Sequence, residues 1–302
     1  MTIPRGVKIA LKWLAGTLLL VALFIGGVWW YFHPSYTRQN GIVYGMRQGY
    51  PLTIDLVKPS DPNGLGVLFL VSGGWKSSTN SFKPWMTAPL LRRGYTVLAV
   101  SHLSQPKATI MEIVQDMHRA TRFIRYHAKE YGIDPNHLGV SGGSAGGHLS
   151  LMLATRGGPG SPDAAEPFER ESSAVQAAAI FYPVTDLINL GSSTENLGDG
   201  GPPKSFVKGF GPNSTNLSVW KPIGHDLSPI FHVHSNLPPT LILHGGADTL
   251  TPLDQSERYQ AAARAMGQTV EVIVRPGKKH GWLTMVWDVR LLADWFDRYL
   301  KK

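Results

Sequence analysis

From residue 67 onward, short unbroken apolar runs alternate with segments whose apolar positions recur at helical spacing. The runs at 67–71, 96–100, 138–140, 175–182, 240–244 and 270–275 are strand-length and bounded by Gly, Pro, Asn or Asp. Helical segments lie between and after them: one before Arg92-Arg93-Gly94-Tyr95, then about 109–131, 145–154, 253–266 and a last one through Trp287 to Leu300. Apolar strands alternating with helices predict a mostly parallel sheet with helices on both faces. Upstream, Ile42-Val43-Tyr44 and residues 52–57 read as an antiparallel hairpin at a sheet edge, followed by the turn Pro59-Ser60-Asp61-Pro62-Asn63-Gly64.

Residues 13–32 carry no charge, and a run of about 20 such residues is enough to cross a bilayer as a helix. Arg5, Lys8 and Lys12 precede the run, and Trp29, Trp30 and Tyr31 close it like an interfacial belt. The pattern predicts a cytoplasmic segment at 1–12, a transmembrane signal anchor at 13–32, a linker at 33–41 and a globular domain at 42–302. That domain would face the periplasm or the exterior. A cleaved signal peptide is the rival reading, and the bulky Trp-Trp-Tyr-Phe end suits cleavage poorly. A buried helix is a further rival.

Two stretches break the rhythm. Residues 156–172 are rich in Gly, Pro and Ser, and residues 189–236 form a long segment of Gly, Pro, Asn and Ser with little periodicity. The second is the candidate cap or lid over a substrate, set against a plain mobile loop. No internal repeat is visible.

With 302 residues, 43% of them hydrophobic, the chain can bury one large α/β core. It has no cysteine, which excludes disulfides, thiolate metal sites and a catalytic thiol. A net charge of +8 raises the question of nucleic acid, but Lys and Arg are scattered with no basic run. The expected partners are therefore a small-molecule or polysaccharide ester and, through the N-terminal helix, a membrane, with no nucleic acid.

The chemistry concentrates in Gly142-Gly143-Ser144-Ala145-Gly146, set between a strand-like and a helix-like run. A tight strand-to-helix turn lifts a nucleophile clear of the backbone, and glycines two residues either side leave room for it. The rival is a glycine-rich turn with an idle serine. A serine hydroxyl needs a base, and the base needs an acid to fix its tautomer. His280 and Asp248 each follow an apolar strand directly, and the order Ser144, Asp248, His280 is that of α/β-hydrolases. Asp186 and Asp254 compete for the acid, and His148, His232, His234 and His244 each read as a satisfied structural group beside His280. His232-x-His234 also reads as a metal pair, but no acidic or third ligand accompanies it. Gly73 and Gly74 in Val71-Ser72-Gly73-Gly74-Trp75, with the N–H of Ala145, are the candidate oxyanion donors, against an ordinary turn. The expected reaction needs no metal or organic cofactor.

These motifs, with Tyr44-Gly45, Tyr131-Gly132-Ile133-Asp134-Pro135, Gly147-His148, Pro238-Pro239-Thr240 and Pro276-Gly277, resemble the bacterial esterase-lipase group of α/β-hydrolases over about 42–300. That group includes acetyl-esterase, feruloyl-esterase-like and hormone-sensitive-lipase-like members. The resemblance implies an α/β-hydrolase fold with Ser144 as nucleophile, Asp248 as acid, His280 as base, and Gly73, Gly74 and Ala145 as oxyanion donors. Two positions depart from the group: Val71-Ser72 stands where a histidine usually precedes the early glycines, and Ser101-His102-Leu103 replaces Tyr-Arg-Leu. The expected function is a serine carboxylesterase acting on small-acyl esters, carbohydrate acetyl or feruloyl esters among the candidates, through an acyl-enzyme. The alternatives are a serine peptidase or amidase of prolyl-oligopeptidase type, which normally brings a propeller this chain has no room for, and a non-catalytic binding protein of the cell envelope with the same fold.

Overall fold

The computed structural model of the protein describes residues 4–301. Its first element, α1 (Arg5–Phe32), is long and apolar enough to cross a membrane and leaves its most apolar window unburied. The helix starts within the segment expected to precede it, taking in Arg5, Lys8 and Lys12, because nothing between Gly6 and Trp13 breaks it.

The expected linker at 33–41 is corrected. Strand β1 (Tyr36–Arg47) begins inside it, so only residues 33–35 separate helix from sheet. Asn40-Gly41, at the end of the expected linker, sits in a bulge between Gln39 and Ile42. There Asp55 accepts the Gly41 N–H at 2.8 Å and the Arg38 guanidinium at 2.7 Å, which holds the bulge in the ladder. β1 turns through Gln48-Gly49, both at positive φ, into the antiparallel β2 (Tyr50–Pro59).

The alternating elements follow as β3 (Gly66–Leu70), α2 (Ala88–Arg92), β4 (Thr96–Val100), α3 (Ile110–Tyr126), α4 (Ala128–Tyr131), β5 (Leu138–Ser141), α5 (Ala145–Arg156) and β6 (Ala177–Phe181). After the irregular stretch, which contains α6 (Leu217–Asp226), come β7 (Thr240–Gly245), α7 (Asp254–Ala265), β8 (Val270–Arg275) and α8 (Met285–Leu300). The eight strands form one sheet in the order β1-β2-β4-β3-β5-β6-β7-β8, antiparallel at β1, β2 and β4 and parallel from β4 onward. This is a mostly parallel sheet of the α/β-hydrolase type.

Alternation along the strands assigns each face. Leu68, Leu70, Leu98 and Val100 pack under α3 and α5, whereas Val67, Val97 and Ala99 pack under α2 and α8. Helix α3 starts on a capping box, Thr109 and Glu112 each satisfying the other's backbone N–H. The single helix expected over 109–131 is interrupted at His127, which leaves the helical conformation. α6 was hidden in the sequence by Pro222 and Gly224 within it; its start is capped by Asn216, whose side chain accepts the Ser218 N–H at 2.9 Å.

The end of α1 is held against the domain. Phe32 is buried, its ring and that of Tyr31 pack on Trp287, and the Arg92 guanidinium donates to the carbonyls of Trp30 and Tyr31. The same guanidinium lies 3.8 Å over the Trp30 ring.

Candidate active site

The parallel strands end on one rim, and the candidate residues gather there. Ser144 sits between β5 and α5 at φ 55° and ψ −121°, a strained backbone that projects its side chain outward. Two close approaches make the turn possible: a Cβ on Gly142 would lie 2.6 Å from Gly146 backbone atoms, and one on Gly146 would lie 2.5 Å from the Leu70 carbonyl oxygen. Hydrogen bonds strap the turn to β6, with the Ser144 N–H donating to Phe181 at 3.1 Å and the Phe181 N–H donating to Gly142 at 2.9 Å.

His280, in the turn between β8 and α8, reaches over the rim. Its Nδ1 is 2.8 Å from Asp248 Oδ2 and its Nε2 is 2.9 Å from Ser144 Oγ. The carboxylate accepts only, so Nδ1 donates to it and Nε2 is left to accept the Ser144 hydroxyl proton. Asp248 has a fully buried side chain, and its Oδ1 accepts the N–H groups of Leu250 and Thr251, each at 2.9 Å. Burial pushes its carboxyl up, but hydrogen bonds from His244, His280 and the Thr251 backbone outweigh burial and hold it well below the usual carboxylate range. It is therefore a standing negative charge beside the imidazole. Tyr182, held at φ 32°, packs its ring 4.5 Å from that of His280 and donates its hydroxyl to Met285 Sδ at 3.2 Å.

The competing residues are engaged elsewhere. Asp186 pairs with Arg258 and accepts the N–H groups of Ile188 and Asn189, and Asp254 also pairs with Arg258. His244 is buried against Ser256 and the Thr251 carbonyl with its Nε2 3.5 Å from Asp248 Oδ2, so it supports the carboxylate and makes no contact with Ser144. His232 donates to the Asp226 carbonyl at 2.8 Å and His234 accepts the Asn236 N–H at 3.1 Å, so neither side chain turns to a shared ligand point.

Among the proposed oxyanion donors, Gly73 requires a correction. Its N–H donates to the Lys76 carbonyl at 3.0 Å and closes the turn, which takes it out of the set facing Ser144. The N–H groups of Gly74 and Ala145 have no partner among the described residues, and both residues line the same small cavity as Ser144.

The two departures from the family pattern touch each other. His102 Nδ1 is 3.0 Å from the Leu103 carbonyl oxygen, so it donates there, and Nε2 accepts the Ser72 hydroxyl at 2.9 Å. Burial lowers His102 to about 4, which keeps it neutral and able to accept. A second buried imidazole supports the same loop: His148 accepts Trp75 Nε1–H at 3.1 Å and donates to the Leu227 carbonyl at 2.7 Å. Burial lowers it too, to about 4. The sequence reading allowed His148 as a satisfied structural group, which is how it is placed, but did not tie it to the loop, and it gave Tyr182 no role; the Gly147-His148 step after the elbow was the signal that could have made the link.

The cavity at Ser144 measures about 70 Å³ and is walled by Trp75, Phe206, Val184, Leu190 and Leu250. Part of that wall comes from the segment 189–236.

Comparison with known proteins agrees with this architecture. The family model BD-FAE matches residues 54–262. The chain is 30% identical over 232 residues to the probable carboxylic ester hydrolase LipM of Mycobacterium tuberculosis, covering 74% of this chain and 51% of that protein. It is 33% identical over 225 residues to the esterase LipQ of the same organism, covering 72% and 50%. The chain thus spans about half the length of the curated relatives it matches. A truncated form of a carbohydrate esterase from gut microbiota superposes with a TM-score of 0.75 at 23% identity, covering 89% of this chain and 99% of that one, which shows a shared fold. With the sheet order, the strained serine turn and the family match in agreement, the chain belongs to the BD-FAE family of α/β-hydrolases.

Proposed function

We propose that the protein is a serine carboxylesterase, with α1 as a membrane anchor, the chain from β1 onward as the catalytic domain and residues 189–236 as its cap. The observation that carries the reading is the unbroken relay from Asp248 through His280 to Ser144, with links of 2.8 and 2.9 Å. Ser144 Oγ attacks the ester carbonyl carbon while its proton passes to His280 Nε2, and the imidazolium formed is stabilised by the Asp248 carboxylate. The N–H groups of Gly74 and Ala145 receive the oxyanion. Collapse breaks the bond to the alcohol oxygen, which leaves with the proton from His280, and water then cleaves the acyl-enzyme by the same route.

The size of the cavity at Ser144 supports a small acyl group. An apolar cavity of roughly 150 Å³ holds a benzene ring, whereas this one is about 70 Å³. Acetyl and propionyl suit so small a space better than feruloyl. The names of the relatives, a carboxylic ester hydrolase and an esterase, support the reaction class. Arg5, Lys8 and Lys12 ahead of the apolar run support an N-terminus on the cytoplasmic side, with the domain outside.

The test is hydrolysis of p-nitrophenyl esters from acetate to palmitate by the detergent-solubilised full chain. Wild-type protein should prefer the shortest esters, and Ser144→Ala should lower turnover by at least ~10³-fold. Equal turnover in Ser144→Ala, or failure of a fluorophosphonate probe to label the wild type, would overturn the reading.

A further inference from the structure

We propose that the alcohol half of the substrate is an apolar chain, held in a second cavity beside Ser144 and entering from the side of α1. The inference rests on the esterase reading above and names the substrate class of the same site.

The cavity measures about 230 Å³ and has Ser72, Gly73 and Gly143 on one side, the backbone on which the oxyanion loop and the serine turn are built. Phe69, Phe82, Met86, Phe181, Met285 and Val289 supply much of the rest. Among the described residues, no charged side chain lines it. Its three hydroxyls are already engaged, that of Ser72 with His102, that of Tyr182 with Met285 and that of Ser81 with the Ser78 carbonyl. A sugar placed there would strip its hydroxyls of water with almost no partners in return, which is strongly unfavourable. An alkyl or prenyl chain gains from the same transfer, and the two methionines adapt to its shape.

Position relative to His280 decides which half of the ester belongs there. The leaving oxygen takes its proton from His280 Nε2, and Tyr182, whose ring packs on that imidazole, is part of this cavity's wall. The smaller cavity is the one lined by Ser144 with the two oxyanion donors, Gly74 and Ala145. The acyl group therefore lies on the cap side and the alcohol on the α8 side.

The larger cavity has a neighbour on the α1 side. Val286 lines both it and a further apolar space of about 440 Å³, whose far wall is Phe24, Ile25, Val28, Trp29 and Phe32 of α1. Trp85 faces one space and its neighbour Met86 the other. Val286 and the Trp85-Met86 step thus stand between the flank of the anchor helix and the cavity beside the serine turn, and the proposed entry of an apolar chain is past them.

Two matched series, assayed with the full chain at fixed detergent surface concentration, test this: acetates of linear alcohols from ethyl to dodecyl, and ethyl esters of linear acids from acetate to dodecanoate. For the acetates, kcat/KM should rise by roughly 3- to 4-fold per added methylene until the cavity is full, whereas for the ethyl esters it should fall beyond butanoate. Met86→Trp and Val286→Trp, on different elements, should each lower the decyl-to-ethyl acetate ratio at least tenfold, with thermal unfolding confirming that the protein compared is folded. A preference for long acyl chains, faster turnover of acetylated sugars than of decyl acetate, or an unchanged ratio in both folded variants would overturn the proposal. Absence of any Ser144-dependent ester hydrolysis would instead overturn the esterase reading itself.

Discussion

Ser72 and His102 show how two unusual residues make sense only together. Each departs from the family pattern, and the 2.9 Å bond between them ties the end of β3 to the loop after β4 just where Gly74 must be held. Ser72→Ala and His102→Leu should each lower kcat about tenfold, roughly 1.4 kcal/mol at the transition state, with KM little changed. A double-mutant cycle checks the pair: strong non-additivity is expected, and additive losses would mean the two act separately. The acid is tested in the same way. Asp248→Asn should cost roughly 10⁴-fold in kcat by spoiling the tautomer of His280, whereas Asp186→Asn should lower the melting temperature and leave most turnover. That Ser144, Asp248 and His280 meet on one rim was legible in the sequence, because each follows an apolar strand. The engagement of Gly73 with Lys76 was not, since a glycine pair does not reveal which of its N–H groups closes the turn.

At the scale of elements, runs buried on both faces were readable because nothing polar interrupts them; the strand expected at 96–100 coincides with β4. Errors fell where a local breaker is overruled by its surroundings. Asn40-Gly41 lies within β1 because Asp55 satisfies the bulge, and α6 forms around Pro222 because Trp220 is buried against the rest of the protein. The junction of α1 with the sheet is a further element whose strength can be measured. Arg92→Ala removes both carbonyl contacts and the stacking on Trp30. Chymotrypsin should then cut after Phe32 several-fold faster, with turnover of soluble esters retained; equal cleavage rates would show that Arg92 does not hold the junction.

Across the whole molecule, several neutral imidazoles are locked inside the fold. Burial lowers His102, His118 and His148 each to about 4, with Arg122 and Arg156 adding to the effect at His118. In the unfolded chain these groups titrate near the ordinary value of 6.5. Between pH 6.5 and 4 the unfolded state therefore binds more protons, and stability must fall as pH falls, by up to about 1.4 kcal/mol per pH unit for each histidine. Asp248, lowered in the fold, stabilises above the ordinary carboxylate value and adds its own loss only at still lower pH. Melting temperature should be flat above pH 7 and drop steeply from pH 6 to 4.5, with a shallower slope in His118→Gln. A flat profile through pH 4.5 would contradict the neutral, buried state of these groups. Finally, only residues 33–35 join α1 to β1, and Arg92 grips the end of the helix. With α1 standing in a bilayer, such a short coupling leaves the domain almost no slack to tumble. The mouth beside Ser144 would ride at one altitude above the lipid, and its search for substrate would become a planar one, governed by lateral diffusion.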